Sequence, residues 1–150
     1  MKVKNYLKIS PMLSSSGQPA REDFSLIAKQ GFQVVINLSM PDSKSALSDE
    51  GYLVTSTGMT YIHIPVPFDA PELSHLHAFY DAMEAFSAKK VWVHCALNYR
   101  ASAFLYLYNR LVKKNTKEDA RRYIFPDWEP NDTWSAFIKR CEVGISTGSQ

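Results

Sequence analysis

Hydrophobic residues along this chain fall into short continuous runs and helical stripes that alternate from one end to the other. Val34-Val35-Ile36-Asn37-Leu38 and Val91-Trp92-Val93-His94 are runs with no polar partner face, the pattern of strands covered on both sides. Tyr61-Ile62-His63-Ile64 is the expected neighbour of the first run, and the alternating Tyr6-Leu7-Lys8-Ile9 marks an earlier strand. Between these, Leu73, Leu76, Phe79, Tyr80, Met83 and Phe86 recur at helical spacing and predict an amphipathic helix from Glu72 to Ala88. Phe24, Leu26, Ile27 and Ala28 predict the inner side of an earlier helix that stops at Gly31, and Asp49 to Gly58 holds a short helix. Ala103 to Val112 has helical composition, and two more helices follow, Lys117 to Phe125 and Asn131 to Val143. Ser14 to Pro19 and Ser39 to Glu50 read as turn and loop.

Strands alternating with helices predict an α/β fold: a mostly parallel central sheet of four or five strands flanked by helices on both faces. Ligands of such sheets sit beyond the carboxyl ends of the strands. The segments leaving three of these strands, Ser39 to Asp42, Pro65 to Pro71 and the loop that starts at Cys95, are therefore expected on one rim.

That last loop, Cys95-Ala96-Leu97-Asn98-Tyr99-Arg100, carries the chemistry. A strand delivers a cysteine into a short turn, an arginine closes the turn, and a helix begins. Loop amides and the helix N-terminus converge on an oxyanion cradle there. A thiol in such a place ionises readily, with pKa values of roughly 3.5–7.5 at helix N-termini near a cation, and the thiolate is the nucleophile. The planar guanidinium of Arg100 suits two oxygens of a phosphate- or sulfate-type anion. His94 reads as a residue that orients the loop by hydrogen bonds. His63, His75 and His77 make no ligand set, so no metal and no cofactor is expected.

Bulk properties restrict the partners. The chain has 150 residues, enough for one domain with one core, and 17 Lys+Arg against 15 Asp+Glu. Near-neutral charge argues against nucleic acid or a membrane as main partner, and the basic stretch from Arg110 to Arg122 reads as a solvated helix face. Two distant cysteines, Cys95 in a reactive setting and Cys141 in a core-like one, point to a reducing, cytoplasmic compartment. Met1 to Leu7 has neither a long apolar core nor a cleavage-site pattern, so neither a signal peptide nor a membrane span is expected. Oligomeric state is not specified by these features.

His94-Cys95 followed by Arg100 resembles the signature of the cysteine-dependent protein phosphatases of dual-specificity and tyrosine type, whose loop has one more residue than the four between Cys95 and Arg100 here. With Ser16-Gly17-Gln18-Pro19 and Gly31 to Leu38, the short spacing resembles one bacterial family over roughly Ser10 to Leu111. That family is the β-lactamase-hydrolase-like, protein-phosphatase-like domain of unknown function. The resemblance implies Cys95 as nucleophile, Arg100 as the grip on the phosphoryl oxygens, and the backbone of Ala96, Leu97, Asn98, Tyr99 and Arg100 as the anion site. It also implies a general acid from an upstream loop, for which Asp69 is the candidate and Asp127 the rival.

Asn98 stands where that pattern prefers glycine; it tolerates left-handed backbone angles but brings a side chain into the cradle. Aligned on Arg100, Ala101 occupies the position of a helpful hydroxyl, which leaves Ser102 as a supporting residue and part of the anion site. A cysteine with an arginine five positions on is also the spacing of rhodanese-type sulfurtransferases. Three functions stay open at this point: hydrolysis of a phosphomonoester through a phosphocysteine, sulfur transfer through a Cys95 persulfide, and a silent anion-binding or adaptor module.

Overall fold

The computed structural model describes the backbone of residues 2–148 and the side chains of residues 2–143. Met1, where the segment read as leaderless begins, lies outside them. Five strands, β1 (Leu7–Ser10), β2 (Leu13–Ser16), β3 (Val34–Asn37), β4 (Thr60–His63) and β5 (Val91–His94), form one sheet in the order β1-β2-β5-β3-β4. Only β1 runs antiparallel, so the expected mostly parallel α/β sheet is what forms. The fully buried runs Val34–Asn37 and Val91–His94 lie side by side at its centre, and β4, with half-exposed residues, is an edge.

The helices are α1 (Asp23–Lys29), α2 (Glu50–Thr55), α3 (Leu73–Ala85), α4 (Tyr99–Leu111), α5 (Lys117–Ala120) and α6 (Asp132–Gly148). One sheet face packs Val34, Ile36, Val91 and Val93 against α3, α4 and α6. The other packs Val35 and Trp92 against Phe24, Ile27 and Val54 of α1 and α2. Helix α4 is the hub, buried from Arg100 to Asn109. No helix among the described residues is long and apolar enough to cross a membrane.

Four expectations need correction. Ser14, Ser15 and Ser16 are a buried strand, β2, rather than a turn. Polar composition concealed it, but the cost of burying hydroxyls is offset by partners: Ser15 Oγ accepts from Asn98, and Ser16 Oγ accepts from Trp92 Nε1 at 2.8 Å. Leu26 faces outward, 45% exposed, whereas Phe24 and Ile27, with Ala28 beside them, lie on the sheet side of α1. Helix α4 starts at Tyr99, four residues before Ala103, which puts Arg100 inside its first turn. The helix expected over Lys117 to Phe125 ends at Ala120, followed by a 3₁₀ turn at Arg121–Tyr123. Phe125 precedes Pro126, which disfavours the helical region at that residue.

Candidate functional site

Parallel pairing aligns the strand ends and so builds the site. Ser16 and Asn37 both lie beside His94, and His63 lies beside Asn37. The segments after β2, β3, β4 and β5 therefore leave the sheet on one rim.

The Cys95 loop is held open by its neighbours. Cys95 N donates to Ser16 O at 3.3 Å, Ala96 O accepts from Gln18 N at 3.0 Å, and Leu97 O accepts from the Asn5 side chain at 2.8 Å. Asn98 then turns the chain into α4 with φ 68°, the left-handed region that Asn tolerates. Its side chain is not in the cradle, contrary to expectation. It points behind the loop, where Nδ2 donates to Asn5 O at 2.9 Å and to Ser15 Oγ at 3.0 Å. Ser102 also stands behind: its hydroxyl donates to Asn98 Oδ1 at 3.3 Å and accepts from Phe125 N at 2.9 Å. It is buried and does not line the cavity, so its assignment to the anion site is replaced by a bracing contact to the loop.

The cavity measures about 130 Å³ and is lined by Phe68, Cys95, Ala96, Leu97, Tyr99 and Arg100. That is well above the roughly 10–15 Å³ that admits one water molecule. Arg100 is only 5% exposed. Nη1 donates to Val66 O at 2.9 Å, the guanidinium lies 5.7 Å from the Phe68 ring centre, and Nε is buried with no hydrogen-bond partner. No carboxylate pairs with it among the described ion pairs. A buried cation with a bare donor is costly unless something anionic completes it. Tyr99 forms a wall, stacked on Trp128 at 5.2 Å with planes 8° apart. Phe68 is fixed from behind by Trp134, whose Nε1 donates to its carbonyl at 2.7 Å.

Asp69 follows Phe68 on an exposed turn, and Asp127, also exposed, precedes Trp128, which stacks on Tyr99. Neither lines the cavity itself. Cys141 is buried in α6, where burial pushes its thiol up to about 11, in keeping with a core role.

Sequence reasoning missed Glu50. It is 2% exposed at the start of α2, with Oε2 at 2.6 Å from His94 Nε2 and Oε1 accepting from Gln18 Nε2 at 2.7 Å. The other nitrogen of His94, Nδ1, lies 3.1 Å from the Cys95 carbonyl oxygen. Burial pushes the Glu50 carboxyl up, but the hydrogen bond and charge of His94, with the Gln18 amide and the Tyr61 hydroxyl, outweigh it and leave the carboxyl below its ordinary range. Position 50 ends a polar loop in the sequence, between Asp49 and Gly51, so no local pattern singled it out.

The fold is shared with known proteins. The chain is 37% identical to a DUF442 phosphatase candidate from Shewanella putrefaciens CN-32, with 94% of this chain and 93% of that one covered at a TM-score of 0.82. The phosphatase Tk-PTP in its active form shares the fold at 19% identity, covering 93% of this chain and 97% of that one with a TM-score of 0.76. TpbA of P. aeruginosa, solved in complex with phosphotyrosine, shares it at 16% identity, covering 95% and 90% with a TM-score of 0.70. No curated protein matches the chain. The family model described as DSP-PTPase phosphatase fused to NAD+ kinase matches residues 8–133, and the chain belongs to that family of dual-specificity phosphatase-like domains.

Proposed function

We propose that this protein is a cysteine-dependent phosphatase that hydrolyses a phosphomonoester through a phosphocysteine on Cys95. One observation carries the reading: Arg100 is buried, lacks an acidic partner, keeps its Nε free, and lines the same cavity as Cys95. A tetrahedral anion supplies what that guanidinium lacks.

In this reading the Cys95 thiolate attacks phosphorus, an S–P bond forms, and the P–O bond to the leaving group breaks. Arg100 and the loop amides from Ala96 to Arg100 hold the equatorial oxygens, since the carbonyls of Cys95, Ala96 and Leu97 are engaged elsewhere. Asp69 gives its proton to the leaving oxygen, then takes one from the water that attacks the phosphocysteine and releases inorganic phosphate. Its position directly after the cavity residue Phe68 favours it over Asp127. Ser102 acts indirectly, bracing Asn98 and the chain at Phe125. The walls Phe68 and Tyr99 favour one phosphate on a flat or apolar group, and a reducing compartment suits the free thiol.

Turnover of a small aryl phosphate tests the reading. Cys95→Ser should abolish it, Arg100→Ala should cost about 10²–10³-fold in kcat, and Asp69→Asn about 10²–10⁴-fold. Turnover that survives Cys95→Ser excludes the mechanism. Thiosulfate-to-cyanide transfer that is insensitive to Asp69→Asn would favour sulfur transfer, and phosphate binding without turnover would favour the silent module.

A further inference from the structure

The Cys95 cavity's own residues leave one buried group unexplained: a carboxylate that does not line that cavity yet is joined to the nucleophile's peptide through a single imidazole. We propose that Glu50 is a positioning residue for Cys95, acting through His94: the carboxylate fixes and charges the ring, and the ring fixes the Cys95 carbonyl and holds positive charge beneath the cradle. This rests on the phosphatase reading for its purpose, but its test does not.

Three features support it. The ring is held at both nitrogens, Nε2 at 2.6 Å from Glu50 Oε2 and Nδ1 at 3.1 Å from Cys95 O, and a proton on each nitrogen satisfies both acceptors. Both groups are buried, His94 at 0% and Glu50 at 2% exposure, so each charge acts at short range with little screening. The carboxylate is itself held in place by Gln18, from the segment whose backbone also braces Ala96. A carboxylate needed only to satisfy the fold would not require the one histidine adjacent to the cysteine.

Beside the pair, Glu50 lines a second cavity of about 290 Å³ together with Tyr61 and His63 of β4. From β4, Tyr61 reaches Glu50, and burial pushes that phenol up to about 12, so it stays a neutral donor. From α1, Phe24 covers the His94 ring at 6.4 Å between centres. Just before α2, Asp49 is occupied by Arg21 at 2.6 Å on the surface. The cradle contributes Cys95 and Arg100.

The experiment is alkylation of Cys95 by iodoacetamide in the whole protein, followed by peptide mass spectrometry at several pH values. It needs no substrate, so an inactive protein leaves it intact. In Glu50→Gln, alkylation near neutral pH should slow about tenfold and recover the wild-type rate in alkaline buffer, where any thiol is ionised. His94→Asn should behave alike, and the double variant should add nothing further, as groups acting as one unit do. Inorganic phosphate affinity, set by Arg100, should change less than threefold in Glu50→Gln by the same separation of roles. A folded Glu50→Gln protein that alkylates at the wild-type rate near neutral pH overturns the proposal, and so does slowing by the same factor at every pH, which would mean altered access. If Glu50→Gln does not fold, Glu50→Asp, which keeps the charge but falls short of His94, replaces it with the same two outcomes.

Discussion

Gly17 and Ala96 approach so closely across the rim that a Cβ on Gly17 would lie 2.6 Å from the Ala96 carbonyl oxygen. Lys4 O sits 3.2 Å from the same point, so the glycine is closed in by backbone on two sides. Backbone cannot swing aside as a long side chain does. Gly17→Ala should cost about 1–3 kcal/mol, the usual range for overpacking, and push the Cys95 loop outward. Urea unfolding gives the first number, and the rate of Cys95 alkylation reports the second. A variant as stable and as reactive as the wild type would show that the loop yields freely.

Asn98 serves two separate physical needs, and substitutions separate them. Alanine at this left-handed position loses the bonds to Asn5 O and Ser15 Oγ and also bears backbone strain, whereas glycine loses the bonds alone. Asn98→Ala should therefore be less stable than Asn98→Gly by about 1–2 kcal/mol, the cost of a non-glycine residue with a left-handed backbone. Equilibrium unfolding of the two variants side by side checks the order; equal stability would remove strain from the account.

Trp128 is 7% exposed and supports Tyr99 from the side away from the cavity. Trp128→Ala should destabilise the protein by about 3 kcal/mol or more, as large aromatic truncations do. For the surviving folded protein, KM for an aryl phosphate should rise more than kcat falls, because the Tyr99 wall loses its backing while Cys95 and Arg100 keep theirs. Trp128→Phe, which keeps a ring to stack, should restore most of both. A fall in kcat alone would place Trp128 in the chemistry.

Acid should weaken the fold in part through Glu50. Its carboxyl is held below the ordinary range by His94, Gln18 and Tyr61 against the opposing effect of burial. A lowered carboxyl contributes stability that is present above the unfolded value, about 4.3, and is lost as pH falls through the folded one. Urea midpoints measured from neutral pH downward should fall for the wild type, and fall less for Glu50→Gln in the most acidic samples. Parallel curves would mean that other carboxylates account for the acid sensitivity.

The strand, cysteine, loop, arginine and helix were legible in order because each is local. Val91 to Val93 can only be a covered strand, and an apolar helix after Arg100 supplies the amides and the fork within one turn of chain. The segments after β3 and β4 were legible as rim loops for the same reason, since parallel connections send every strand end the same way. Periodicity failed where polar residues are satisfied by distant partners. Ser14 to Ser16 read as a turn because a buried strand of serines makes sense only once Trp92 and Asn98 stand beside it.

What the sequence by itself determined, then, was the cradle and the elements that carry it, since spacing within a dozen residues sets which groups converge. What the tertiary structure alone decided was everything that crosses the sheet: Asn98 turned behind the loop, Gly17 against Ala96, and Glu50 joined to His94 from 44 positions away. Hydrogen bonds and close contacts depend on distances of a few ångströms between segments, and a linear pattern holds no information about those distances until the sheet brings its strand ends together.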